Sequence, residues 1–467
     1  MKKNGLFKII SVLIILLAVL SWIIPASYYG NADLVNLGLY RVGFSHLFQY
    51  PLSAVKYFTD IIVFILIVGA FYGILGKTGK YRTMVEKLSN KIKGKEKLYL
   101  ILVAIIFASL SSIFGFGLLL FIFIPFIISI TLLIGYDKLT AFLLTFGSVL
   151  VGQLGSIYNF NILSFINKAT STTYTTQIYV KIGIFVITLA ILIMFTLKHA
   201  TKVLDKKPKS TDTVDAYLGE KRTTKRKMWH LIAIFSVLFV LLVLGCTHWK
   251  EVFNIDIFNT LDTTIKGVKI KNFAVFASFL GEIKAFGMWT YTEMSSMLLI
   301  ASVLITIIYK LKIKDAIDGA WEGINKIMKP TLLITLSFVV LIITAYHPFF
   351  TTAAGWITDL TKHFNMFTTM FTTVFSSLLN IDMTYVAQCS VPYIAGIFPS
   401  DAALNSLALI TQVFYGLTMF VAPTSTLLIL GLEYAGIPYV EYLKKTWKLI
   451  VSLLIIIVII VIAASLI

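Results

Sequence analysis

Four short clusters of small polar residues interrupt apolar sequence, and one of them carries a carboxylate. Ser111 and Ser112 precede Gly115 and Gly117; Gly155 and Ser156 precede Asn159 and Asn161. Asn380, Asp382 and Thr384 form the third cluster, and Pro423, Thr424 and Ser425 the fourth. Residues of these types break helices. A break in apolar surroundings frees backbone N–H and C=O groups that must find partners inside the protein. The half-helix that follows carries roughly half a positive charge at its N-terminus. A ligand carboxylate can approach the N–H groups of such a Ser/Gly-rich break closely. Freed carbonyls, together with Ser, Thr or Asn oxygens, suit Na⁺ instead. A lone Ser or Thr in an apolar helix ordinarily bonds its own backbone, so the clustering at breaks is what marks these positions. Asp382 is the most informative charge, because an ionised group within apolar membrane sequence is costly and usually functional. It can take a coupling proton or cation, or the amino or guanidino group of a substrate; the alternative is pairing with a nearby Lys or solvation at a hairpin mouth. Glu293 and Asp60 lie near helix ends, where interfacial water can reach them. Six scattered histidines without HxxxH or HExxH spacing, two distant cysteines (Cys246 and Cys389) and the lack of a Walker motif give no support to an enzyme or an ATP-driven pump.

The elements that position these clusters are apolar segments of bilayer length. The chain is 58% hydrophobic, 13% charged and has a mean hydropathy of +0.90, whereas a soluble domain carries about 25% charged residues. Such segments lie near 6–25, 58–76, 98–114, 115–135, 139–160, 178–197, 229–246, 288–309, 330–346, 366–380, 385–398, 404–432 and 448–467. The run 6–24 ends in Trp22-Ile-Ile-Pro-Ala-Ser-Tyr28 without a clean cleavage site, so it reads as a retained first helix rather than a signal peptide. The net charge of +18 sits in blocks between the segments, which indicates topology signals facing anionic lipid rather than nucleic-acid binding. Residues 77–97, 198–227 and 310–329 carry eight, ten and five Lys/Arg, against two, one and one in 26–57, 160–177 and 346–365. The positive-inside rule places the first group and the N-terminus in the cytoplasm.

Segments 98–114 and 115–135 meet at Ser111–Gly117 without a polar connector of loop length, and 366–380 and 385–398 meet at Leu379–Thr384. Both junctions read as re-entrant hairpins, 98–135 and 366–398. Pro125 follows Gly115 by the same interval that separates Pro392 from Asp382, and Asp137 precedes Asn159 by the interval that separates Asp401 from Pro423. Charge assignment gives the helices before the two hairpins opposite directions. The expected fold is therefore an all-α polytopic membrane protein with two inverted-topology repeats, each with a re-entrant hairpin and an interrupted helix. The expected parts are an N-terminal helix and external loop (1–57), a first repeat (58–197), a cytoplasmic linker (198–228), scaffold helices with an external segment (229–329) and a second repeat (330–467). Paired interruptions in inverted halves point to a midplane solute site in a secondary transporter.

Motifs along the chain resemble the YfcC-type carriers of the C4-dicarboxylate anaerobic carrier group, in the ion-transporter superfamily. Trp22-Ile-Ile-Pro-Ala-Ser-Tyr28 is similar to that family's WIIPAGxY, and Ile67-Val-Gly-Ala-Phe-Tyr-Gly73 to its VGGFFGI. Phe114-Gly-Phe-Gly117 is similar to GGTxFGM, Gly155-Ser-Ile-Tyr-Asn159 to GSTxNP, and Thr292-Glu-Met294 to NEM. Pro423-Thr-Ser425, Ala435-Gly-Ile-Pro-Tyr439 and Trp447 are similar to TPTSG…AGIPYxxW, the most specific part. The resemblance implies a homodimeric carrier in the cell membrane, with a scaffold part and a moving part that holds both hairpins. It further implies ion-coupled symport or exchange of small carboxylates or amino acids, arginine/ornithine exchange among them. No cofactor is expected beyond a coupling Na⁺ or H⁺. The chain departs from the family at Leu118-Leu119-Leu120, where relatives are acidic, and at Asn380–Thr384, where they have a glycine-rich turn. The negative charge at Asp382 speaks for a substrate with a cationic group. The expectation is thus a secondary carrier of an amino acid such as arginine or ornithine, with a C4-dicarboxylate or short-chain carboxylate carrier as the alternative and a channel as the alternative of another class.

Overall fold

A computed structural model describes residues 5–30, 33–204, 219, 227–270, 273–281, 283–361, 363–379 and 382–465. The chain starts with α1 (Gly5–Leu20), a two-stranded antiparallel hairpin β1 (Ala26–Gly30) and β2 (Asp33–Gly38), then α2 (His46–Tyr57), α3 (Thr59–Lys77) and α4 (Lys80–Ile92). Next come α5 (Glu96–Phe114), a 3₁₀ turn over Gly117–Ile122, α6 (Ile124–Leu133) and α7 (Lys138–Leu154), which contains a π-turn at Leu143–Gly147. After a break follow α8 (Phe160–Thr170), α9 (Ile178–Leu204) and α10 (Trp229–Cys246). The segment 247–287 holds α11 (Trp249–Phe253), α12 (Ile257–Gly267), the short strands β3 (Lys269–Ile270) and β4 (Phe273–Ala274), and α13 (Val275–Leu280). Then come α14 (Tyr291–Ile308), α15 (Ile313–Tyr346), α16 (Phe349–Thr358), α17 (Met366–Leu379), α18 (Met383–Ile397), α19 (Asp401–Thr418), α20 (Thr426–Ala435) and α21 (Tyr439–Ser465).

The chain is an all-α polytopic membrane protein. Among the described residues seven helices are long and apolar enough to cross a membrane: α3, α5, α9, α10, α14, α15 and α21. Helices satisfy their own backbone groups, which lipid cannot do. Large apolar side chains stay on the outside, as on α21 with Val451, Leu454, Ile455 and Ile459, because the surrounding solvent is hydrocarbon.

Two stretches read as loops are helical. Residues 160–170 continue past the break as α8. Residues 313–329 are the first turns of α15, which carries Pro330 in its interior and runs through the expected boundary at 329/330. A count of positive charge does not report backbone conformation, so an amphipathic extension of a spanning helix looks like a basic loop. This extension has a structural purpose. A Cβ on Gly73 would overlap the Gly319 carbonyl oxygen, and one on Gly323 would overlap that of Gly69. The α3–α15 crossing therefore brings backbone against backbone, the small-xxx-small packing of membrane helices. Lys77 pairs with Glu322 at 2.9 Å beside it.

The other half of the molecule holds the clusters. The junction expected at Ser111–Gly117 is the C-terminus of α5 followed by the 3₁₀ turn, and the 155–159 and 419–425 stretches are breaks between α7 and α8 and between α19 and α20. Helix α5 packs along α7, α8 along α18, and α19 along α17 and α7, so the four interrupted elements interlock.

Candidate functional site

At the end of α5, Gly115 adopts φ +72°, and its N–H closes the helix on Ser111 O. A side chain there would be strained and would place Cβ 2.8 Å from Asn159 Oδ1. The first break sits against this tip. Asn159 caps α8: its Oδ1 accepts from Ile162 N–H at 3.3 Å, and its Nδ2 donates to Ser111 O at 3.0 Å. Asn161 Nδ2 donates to Gly115 O at 2.9 Å. The Ser112 hydroxyl donates to Gly155 O at 2.5 Å, and Ser112 O accepts from the N–H groups of Ile157 and Tyr158. The carbonyls at the end of α5 and the N–H groups of the break thus satisfy one another across two elements.

In the second half Asp382 caps α18, its Oδ1 accepting from Thr384 N–H at 2.8 Å. Ser425 caps α20, accepting from Leu428 N–H at 3.4 Å. The Thr424 hydroxyl donates to Leu378 O at 3.0 Å and ties this break to the end of α17. Asn380 lies outside the described residues.

Both tips, the first break and the start of α20 open onto one cavity of about 360 Å³, within the range of small-ligand sites. From the first half it is lined by Gly115, Gly117, Gln153, Asn159 and Asn161, and from the second by Asp382, Thr384, Tyr415 and Thr426. The remaining wall comes from other parts of the chain: His248, Thr290 and Tyr291, with Phe58 stacked on Phe338 at a centroid distance of 4.0 Å. Four helix N-termini, those of α8, α14, α18 and α20, start at this wall. Among the described residues no Lys or Arg lines it, and Asp382 is the one carboxylate. His248 stacks on Phe160 at 3.8 Å, and its Nδ1 is buried without a partner among the described residues. Burial pushes its imidazole below the ordinary histidine range, against a smaller opposing effect of Glu251.

Not every expected site residue faces the cavity. The Ser111 hydroxyl is spent on Val149 O at 2.9 Å, and that of Ser156 on Gln153 O at 2.6 Å. Ser111, Ser112, Gly155 and Ser156 form the layer beneath the wall, as do Thr424 and Ser425; Pro423 stands at the break outside the lining. Glu293 is absorbed by the capping box at the start of α14, where its Oε2 accepts from Thr290 N–H at 2.7 Å. Sequence reasoning missed Gln153, His248, Tyr291 and Tyr415. Gln153, a polar residue in an apolar run just before Gly155, was the one with a readable signal.

With this geometry in view, the comparison with protein families is direct: the model of the DcuC family, the C4-dicarboxylate anaerobic carriers, matches residues 4–466. The chain belongs to this family. Over 178 residues it is 26% identical to the Escherichia coli (strain K12) protein named "Putative basic amino acid antiporter YfcC". That match covers 38% of this chain and 35% of the relative, so the chain is matched to about a third of that protein's length. Among solved structures, the Alcanivorax borkumensis YdaH transporter aligns over 97% of both chains at 12% identity and a TM-score of 0.42. The resemblance read from the Trp22–Tyr28 and Pro423–Ser425 motifs is borne out. This chain of the C4-dicarboxylate anaerobic carrier family is a multi-pass membrane protein.

Proposed function

We propose that the chain is a secondary active carrier, an ion-coupled symporter or exchanger, of a small solute bearing both a carboxylate and an amine, with arginine and ornithine as the preferred examples. The observation that supports this reading is the charge of the cavity wall: among the described residues, one carboxylate, Asp382, and no Lys or Arg. A dicarboxylate would add two negative charges beside Asp382, with only helix N-termini and neutral donors to offset them. An amino acid sets its amine on Asp382 and its carboxylate at the N-termini of α8 and α20. The name of the E. coli relative supports the same solute class, and the family description supports the dicarboxylate alternative.

The two hairpins belong to halves of opposite topology and move against a scaffold that includes the helices of residues 229–329. The functional unit is a homodimer in the cell membrane, with its N-terminus in the cytoplasm and Na⁺ or H⁺ as the coupling ion. The test is counterflow in liposomes with labelled arginine, ornithine, neutral amino acids, succinate and short-chain fatty acids. We expect saturable arginine or ornithine exchange. Asp382→Asn removes a hydrogen bond to charge worth about 1.5–3 kcal/mol, so exchange should fall roughly 10- to 150-fold. Succinate exchange that survives Asp382→Asn would overturn the assignment in favour of the dicarboxylate reading, and rapid unsaturable flux would make the protein a channel.

A further inference from the structure

Behind the first break lies a second pocket of about 10 Å³, enclosed by α8, the turn 171–177, the start of α9 and α19. That volume is about the least that admits one water. Lys181 lines it at 5% exposure and donates to the Tyr174 carbonyl at 3.2 Å. Among the described residues no other in the lining is charged, and two more side chains there are buried with a polar atom that has no partner. They are Asn167, 9% exposed, at Nδ2, and Gln412, 0% exposed, at Oε1.

The orientation of Gln412 decides what this pocket accepts. Its Nε2 donates to Ser156 O at 2.7 Å, so the atom left over is an acceptor. With the spare donor of Asn167 Nδ2 in the same lining, that acceptor suits a water that bridges Gln412 and Lys181. A buried ammonium held only by neutral acceptors is costly, whereas the neutral amine is not. The pocket can therefore hold Lys181 in either state.

We infer that Lys181 is where a coupling proton binds. The amine takes a proton from water and returns it to water, with no other bond made or broken. Gln412 then links its state to Ser156, in the break whose neighbours Gln153 and Asn159 line the solute cavity. The groups around Lys181 leave it as the one that titrates. Asn167 faces it from α8, Thr172, Thr176 and Gln177 from the turn, and Asn405 and Gln412 from α19. The charged residues of α8 and α19, Lys168 and Asp401, are exposed. Burial, with a smaller contribution from Glu251, pushes the Tyr174 phenol up to about 12, so it stays protonated.

This inference rests on the carrier reading, and its test separates the two. Wild type, Lys181→Met and Lys181→Arg are reconstituted with pyranine inside the liposomes, and three quantities are read: counterflow, uptake driven by a pH gradient, and proton movement. Wild-type protein without saturable counterflow of any panel solute would end the carrier reading itself. If the inference is right, wild-type uptake responds to the gradient and moves protons. Lys181→Arg, which cannot release its proton, keeps counterflow but loses gradient-driven uptake and proton movement by at least about tenfold. Lys181→Met likewise moves no protons. Calorimetry of solute binding in buffers of different ionisation enthalpy supplies a readout that needs binding but not transport: proton uptake per solute falls to zero in both variants. A wild-type protein that exchanges solute but ignores the gradient overturns the inference. So do variants that couple like wild type, and so does loss of solute binding in both, which would mark Lys181 as structural.

Discussion

The two tip-and-break pairs have the same layout but are fastened very differently. In the first half, side chains and backbone of Ser111, Ser112 and Gly115 bond to Gly155, Ile157, Tyr158, Asn159 and Asn161. In the second half, among the described residues, one hydrogen bond, Thr424 to Leu378 O, joins the break to the hairpin. The first pair is neutral and closed upon itself; the second bears Asp382 and keeps its caps local. A buried network with every member satisfied rigidifies what it joins, so the first pair is a bonded unit of the cavity wall, and we expect the second, which carries Asp382, to be the one that shifts during transport.

The sharpest way to break that comparison is to lock each pair. In a cysteine-free background, cross-linking Cys residues at 378 and 424 should lower counterflow by roughly 100-fold or more, since it stops a gating movement. Cross-linking at 112 and 157 should leave it within about twofold. Equal sensitivity of the two pairs would erase the distinction. Next in size is Asn159→Leu, which removes a helix cap and the bond from Asn159 Nδ2 to Ser111 O. We expect a cost of about 2–4 kcal/mol, against about 1 kcal/mol for Thr424→Val, both read as thermal stability in detergent. Gly115→Ala tests the first tip alone. Its positive φ and the nearby Asn159 Oδ1 should cost about 1–3 kcal/mol, seen as a lower melting temperature.

The smallest effect concerns the helices that follow the hairpins. Asp137 caps α7, accepting from Thr140 N–H at 2.9 Å and pairing with His199 at 3.0 Å. At the matching place the cap of α19 is Ser400, and Asp401 is exposed. Asp137→Asn should cost about 0.5–1.5 kcal/mol, and Asp401→Asn less than about 0.5. Burial works to raise the Asp137 carboxyl, but hydrogen bonds from His199 and from the side chain and backbone of Thr140 outweigh it and hold the group below its ordinary range. A lowered folded-state value stabilises fully above the unfolded-state value and is lost as pH falls through the folded one. The gap between wild type and Asp137→Asn should therefore persist at neutral pH and close only below about pH 4. A gap that closed near pH 7 would point to another group.

The breaks were legible because their signal is local. Gly155 to Asn159 and Ala422 to Ser425 announce an interruption by residue type, and the caps at Asn159 and Ser425 fall where that chemistry puts them. The wall of the cavity was not legible to the same degree. Ser111, Ser112 and Ser156 advertise donors, but only the fold reveals that these are spent on Val149, Gly155 and Gln153. His248 and Tyr415 reach the cavity from segments far apart in sequence, and nothing in their neighbours distinguishes them. Residues 313–329 misled for a different reason: lysine counts carry no signal of backbone conformation, and Gly319 and Gly323, which pack the segment as a helix, mean something only beside Gly69 and Gly73.

That glycine seam also sets a schedule for assembly. Gly73 and Gly319 are about 250 residues apart, and ribosomes add roughly 5–20 residues per second. Helix α3 thus enters the bilayer roughly 12–50 s before its partner exists, with its smallest residues turned to lipid and nothing to grip. Whatever occupies that groove during translation, lipid tail or insertion machinery, has to leave before the carrier can close its own spine.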